Sequence, residues 1–170
     1  PSDGVLKAVN SSEAALLRLY PDPTCSALKE GLASLFGLKS KNVFVTNSSD
    51  DVLNMTFTAF AGREKPAYYA DITYGFYKAQ SALFGLEATV VPLREDFTLN
   101  VEDYLGLGAT VVIANPNAPT GLALKPAQIE RLLQADPDHV VIVDEAYVDF
   151  GAESCVPLVE KYPNLLVVQT

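Results

Sequence analysis

A single histidine, His139, is present in 170 residues, and that scarcity largely rules out His-based triads and multi-histidine metal centres. His139 precedes an apolar run and reads as structural. Cysteine is almost as scarce. Cys25 and Cys155 lie far apart with no neighbouring His or Cys, the pattern of two free thiols in a reducing compartment rather than of a disulfide framework. Positive charge is also short: 12 Lys and Arg against 21 Asp and Glu leave a net charge of −9. Nucleic-acid binding is therefore not expected, because phosphate affinity rests on Lys and Arg. No apolar run reaches the roughly eighteen residues of a membrane span. Pro1-Ser2-Asp3-Gly4 carries neither a basic n-region nor an apolar h-region, so no secretory signal is expected and the location expected is cytoplasmic.

What is present is core. Hydrophobic residues make up 49% of the chain, enough for one ordinary domain and too many for disorder. Helical patterns are predicted from Ser2 to Asn10, Glu13 to Leu19 and Ser26 to Phe36, with Tyr20-Pro-Asp-Pro23 as a rigid extended turn. Val43–Thr46 is predicted as a short strand, and Asn47-Ser-Ser-Asp-Asp51 leads into a helix predicted from Val52 to Phe60. Strands then alternate with helices: 66–70, 76–84, 87–92, 101–105, 110–114, 126–134, 140–143 and 165–169. That spacing predicts an α/β fold, three layers α/β/α with a mostly parallel sheet.

The organising stretch is Val140-Val-Ile-Val-Asp144-Glu145-Ala146-Tyr147, a buried-strand pattern that ends in carboxylates and a tyrosine. Ligands of open α/β sheets sit outside the carboxyl ends of the strands. Four such ends present unusual groups: Ser48-Ser49-Asp50 at a helix start, Tyr74, Asn117 in a Pro- and Asn-rich loop, and Asp144 with Tyr147. Read singly, each has a plainer explanation. The serines suit a helix cap, Tyr74 a packing aromatic, Asn117 and Asp144 turn chemistry, and Tyr20 a surface anchor. Together they describe a phosphate cradle, an aromatic plate, an amide and a carboxylate. A phosphorylated, flat, cationic heterocycle would use all four, and pyridoxal 5′-phosphate is such a ligand.

At these residues the chain resembles the class I/II aminotransferases of the aspartate-aminotransferase fold, most of all their histidinol-phosphate branch. The matching stretches are Tyr20-Pro-Asp-Pro23, Ser49-Asp-Asp51, Thr73-Tyr-Gly-Phe-Tyr77, Asn115-Pro-Asn-Ala-Pro-Thr-Gly121 and Asp144-Glu-Ala-Tyr147. The resemblance implies that residues around Ser48, Ser49 and Asp50 hold the cofactor phosphate and that Tyr74 stacks on the ring. Asp144 would pair with the ring nitrogen, and Tyr147, helped by Asn117, would bond the ring oxygen. Tyr20 would reach the cofactor of a partner subunit, which implies a homodimer. The substrates implied are an amino-phosphate or amino acid and a 2-oxo acid.

Three departures from the family pattern stand out: Ser48 and Asp51 replace the usual glycine and glutamate, and Ala118 replaces the asparagine before Pro-Thr-Gly. The family's Schiff-base lysine is expected just beyond Thr170, and none of the lysines from Lys7 to Lys161 occupies its place. The chain is therefore expected to be part of the cofactor-binding large domain, with 1–40 a helical segment carrying the dimer-contact turn and 41–170 the sheet region. The small C-terminal domain would lie outside it, and the isolated piece would be inactive. Alternatives within the fold are another class I/II aminotransferase or a phosphothreonine decarboxylase; outside it, a non-catalytic module that binds phosphate ligands.

Overall fold

A computed structural model describes residues 2–62 and 65–170, apart from the side chain of Ser11. The chain divides into two compact units, Pro1–Val45 and Thr46–Thr170.

The first unit is helical. Helix α1 spans Asp3–Ala8, with Ser2 Oγ accepting from Val5 N. Helix α2 spans Ser11–Leu16 and begins earlier than its apolar pattern predicts, because Asn10 caps it. Its Oδ1 accepts from the backbone N–H of Ser12 and Glu13 at 3.0 and 3.1 Å. The Tyr20–Pro23 turn is closed by Asp22, whose carboxylate accepts from Thr24 N at 2.9 Å and Ser26 N at 2.7 Å. These donors hold the Asp22 carboxyl well below the usual carboxylate range. They also start helix α3, Ser26–Phe36, which stops at Gly37 with φ 68°. The strand predicted at Val43–Thr46 does not form. Val43 is extended, at φ −110° and ψ 128°, but the segment finds no ladder partner among the described residues.

The second unit is a sheet wrapped by helices. Helix α4 spans Ser48–Phe60, strand β1 Ala67–Ala70, α5 Phe76–Phe84 and β2 Ala88–Val91. Strand β3 is Thr110–Ala114, α6 Pro126–Ala135, β4 Val141–Asp144 and β5 Leu165–Val168. The strands lie in the order β2-β1-β3-β4-β5, and every pairing is parallel. Connections run outward from β1 in one direction and from β3 in the other. The switch point between them is where an open α/β sheet leaves a crevice at its carboxyl edge.

Side-chain alternation builds two cores. Val111, Ile113, Val141, Val143 and Leu165 face α6, meeting Ile129, Leu132 and Leu133. Val112, Ile142, Ala67, Tyr69 and Val168 face α4 and α5, meeting Leu53, Phe57 and Tyr77. The predicted three layers are thus present. Register levels the strand ends: Asp144 stands opposite Ala114 on one side and Val168 on the other.

Candidate functional site

The level strand ends open into a hollow of about 210 Å³ lined by Ser49, Tyr74, Pro116, Ala118, Asp144, Ala146, Tyr147 and Thr170. Four of the residues singled out in the sequence therefore converge: Ser49, Tyr74, Asp144 and Tyr147.

Asp144 is its floor. The period of two places it on the α4–α5 side with Ile142, and it is only 4% exposed. Oδ2 accepts from Tyr77 OH at 2.6 Å and Oδ1 from Ala146 N at 3.2 Å. Burial pushes the carboxyl above its ordinary range, assisted by the charges of Asp50 and Glu145 and opposed by the two hydrogen bonds. No Lys, Arg or His lines the hollow among the described residues. A buried carboxylate with no cation beside it is a receptor for one.

Tyr74 forms a wall. Its ring meets Tyr77 edge-on, with centroids 5.6 Å apart at 85°, and its hydroxyl donates to Asp50 Oδ1 at 3.1 Å. Burial, then that bond, raises the Tyr74 hydroxyl above its usual range. The Asp50 carboxylate is thereby occupied by the phenol, and what α4 offers the hollow is its first turn. Asn47 makes no side-chain cap there, so N–H groups with the positive end of the macrodipole are left for an anion.

Ser48 supplies the bend into α4 at φ 74°, in the left-handed region that a Cβ disfavours. That conformation explains why the resembling family uses glycine there. Ser48→Gly is expected to stabilise the protein by about 0.5–1 kcal/mol, relief of the αL cost less the added freedom of the unfolded chain. A higher denaturant midpoint at unchanged slope is the measurement.

Asn117 is not brought to the hollow. Its Nδ2 donates to Ile72 O at 2.8 Å and Thr120 Oγ1 at 3.2 Å, and it lines a neighbouring cavity of about 180 Å³ with Phe97 and Leu122. Ala118 presents a methyl group in its stead. Tyr147 is half-exposed and packs its ring on Phe150 at 5.9 Å. Tyr20, fully exposed, belongs to the first unit.

Several residues that hold the site stand inside the matching stretches without a role legible in the sequence. Tyr77, fully buried, stands three residues after Tyr74 on α5, a spacing that signals a shared helical neighbourhood. Asn115 is fully buried too. It clamps the loop through Leu124, accepting from its N at 2.7 Å and donating to its O at 3.2 Å. Glu145, 1% exposed, accepts from Cys155 N at 2.5 Å, Ser154 Oγ at 2.7 Å and Gln169 Nε2 at 2.9 Å. Burial pushes the nearby Cys155 thiol up to about 12, so this thiol stays protonated and inert. His139 Nδ1 lies 2.7 Å from Asp136 Oδ1 and has a structural place beyond α6.

The hollow combines a floor anion, an aromatic wall and a helix N-terminus, the needs of a flat cationic ring with an anionic arm. Residues 1–170 match the family "Aminotransferase class I and II" along their whole length. The chain belongs to the class I and II aminotransferases. It is 50% identical over 170 residues to the histidinol-phosphate aminotransferase of Acetobacter pasteurianus, covering all of this chain and 48% of that protein. The aminotransferase chain thus spans about half the length of the curated relative it matches. Two solved structures share its fold. That of histidinol-phosphate aminotransferase from Sinorhizobium meliloti in complex with pyridoxal-5′-phosphate superposes with a TM-score of 0.88 at 23% identity, over 100% of this chain and 48% of that one. That of L-threonine-O-3-phosphate decarboxylase from Porphyromonas gingivalis gives a TM-score of 0.84 at 23% identity, over 99% and 51%. Fold alone therefore does not separate the two activities.

Proposed function

We propose that this chain is the cofactor-holding part of a pyridoxal 5′-phosphate-dependent aminotransferase that exchanges the amino group between histidinol phosphate and 2-oxoglutarate, in histidine biosynthesis. The observation that carries the reading is 50% identity along the whole chain to a histidinol-phosphate aminotransferase.

The residues present fit the cofactor. Asp144, buried and with no Lys, Arg or His lining the hollow beside it among the described residues, holds a ring nitrogen protonated, since an adjacent negative charge favours the charged form. Tyr74 and the apolar side chains of Pro116, Ala118 and Ala146 enclose a flat ring. The first turn of α4, with Ser49 in the lining, takes the phosphate. With Ala118 offering no donor and Asn117 engaged elsewhere, the ring-oxygen hydrogen bond falls to Tyr147. Pyridoxal 5′-phosphate supplies an electron sink when bound.

No lysine lines the hollow among the described residues, so the lysine that bonds the cofactor is assigned to the rest of the protein, after β5. The full-length protein is read as a cytoplasmic homodimer in which Tyr20 reaches the partner's phosphate. Exposure of Leu6, Val9, Leu17, Leu19 and Tyr20 on the first unit supports a contact there. Among the described residues no helix is long and apolar enough to cross a membrane.

The test is the visible spectrum of the full-length protein with added cofactor, before and after histidinol phosphate. A cofactor band that histidinol phosphate converts to the amine form is expected. A band that answers only to other amino acids keeps the family and discards the substrate; absence of any band sinks the enzyme reading. The isolated 170-residue chain is expected to turn nothing over.

A further inference from the structure

Tyr77 is fully buried and its hydroxyl reaches the carboxylate at the hollow's floor. Its ring is packed on three sides by aromatics: Phe57 at 6.0 Å and 26°, Tyr69 at 5.9 Å and 57°, and Tyr74 at 5.6 Å and 85°. A side chain with two torsions, so enclosed, delivers its hydroxyl to one place with little freedom.

That place is Asp144 Oδ2, at 2.6 Å. Among the described residues the only other donor to this carboxylate is Ala146 N–H, to Oδ1 at 3.2 Å. Against them stand burial and the charges of Asp50 from α4 and Glu145 from the end of β4. The remaining titratable side chains lining the hollow among the described residues are the phenols of Tyr74 and Tyr147; the segments after β3 and β5 contribute Pro116, Ala118 and Thr170, whose side chains carry no charge. No Lys, Arg or His among the described residues lining the hollow offsets the crowding.

We propose that Tyr77 is the positioning residue for Asp144: its buried hydroxyl keeps the carboxylate charged and aligned to receive the ring nitrogen of the cofactor. The inference rests on the pyridoxal 5′-phosphate reading above. Tyr77 donates and does not ionise, because burial and the adjacent Asp144 raise its hydroxyl well above the ordinary range. A neutral phenol held against an anion stabilises the charged form by a hydrogen bond without neutralising it. The full negative charge remains for the ring. The edge contact with Tyr74 means that one side chain sets both the floor and the wall.

The experiment compares the affinity of the full-length protein for pyridoxal 5′-phosphate with its affinity for the carbocyclic analogue, in which CH replaces the ring nitrogen. Tyr77→Phe keeps the ring and removes the hydroxyl. The wild type is expected to prefer the nitrogen-bearing ligand, and Tyr77→Phe to lose about tenfold of that preference, with affinity for the carbocyclic ligand unchanged. A purely structural role would weaken both ligands together, and an unchanged ratio overturns the proposal. Replacement of Tyr77 by 3-fluorotyrosine, a stronger donor of nearly the same shape, is expected to raise the ratio. If the phenylalanine variant does not fold, that second variant decides, and an unmoved ratio again overturns the proposal. A wild-type ratio of one, unaltered by Asp144→Asn, would remove the pyridinium reading itself and this inference with it.

Discussion

Asp144→Asn is expected to lower turnover of the full-length protein by about a hundredfold to a thousandfold and to weaken cofactor retention at least about tenfold. An asparagine keeps the size and can still accept from Ala146 N, while its amide nitrogen would donate to the Tyr77 hydroxyl in place of accepting from it, but it carries no charge. What is lost is a charge-assisted hydrogen bond in a buried site, about 2–4 kcal/mol once the reacting state depends on it. Steady-state rates and equilibrium dialysis measure the two effects. Turnover near the wild-type level would remove Asp144 from the chemistry.

The same substitution has an opposite effect on stability. Burial raises the Asp144 carboxyl above its unfolded value. Between those two values the folded state binds more protons than the unfolded one, so stability falls as pH rises through the window. Above it the cost is constant. In the ligand-free protein Asp144→Asn is therefore expected to melt higher than the wild type at neutral pH, the difference closing as pH drops below the ordinary carboxylate range. Melting temperatures of both proteins from acid to neutral pH check the sign. Ligand binding supplies the missing cation and reverses the ordering.

Phe57→Ala is expected to cost about 3–5 kcal/mol, a cavity in the middle of the α4–α5 layer. Phe57 is fully buried, packs with Leu53, Tyr69 and Ile142 and stacks on Tyr77. With domain stability of about 5–15 kcal/mol, a large share would be gone. Denaturant unfolding measures it as a fall in midpoint. Phe57→Leu, which leaves much less empty volume, is expected to cost under about 2 kcal/mol.

Much of the fold was legible because local chemistry and periodicity agreed. Helix α3 ends at Gly37 and α5 at Gly85, both in the left-handed conformation that predicts a stop, and β3 runs from Thr110 to Ala114 as its β-branched pattern says. Val43–Thr46 shows the limit. Apolar alternation describes a strand's faces, but a strand also needs a neighbour to bond, and no residue pattern names that neighbour.

The site divides along the same line. Ser49, Tyr74, Asp144 and Tyr147 are residue types whose joint chemistry could be read in order along the chain, and they share one hollow. Asn117 could be read equally well and yet spends its amide on Ile72 and Thr120, because a loop's dihedral path, not its composition, aims its side chains. Asp144 and Glu145 sharpen the contrast. They are adjacent carboxylates of one charge, and in the sequence only the family resemblance tells them apart. The pleat turns them to opposite faces of the sheet. Asp144 meets Tyr77 and the hollow, while Glu145 is closed in by Ser154, Cys155 and Gln169.

By itself the sequence determined the alternation of elements, the parallel class of sheet, the family and the ligand chemistry, since these depend on residue type and spacing. Tertiary structure alone decided which tyrosine holds the floor carboxylate and which groups close in its neighbour. Those outcomes depend on strand order and on contacts between residues 67 positions apart, as in Tyr77 and Asp144, and no local signal carries such distances.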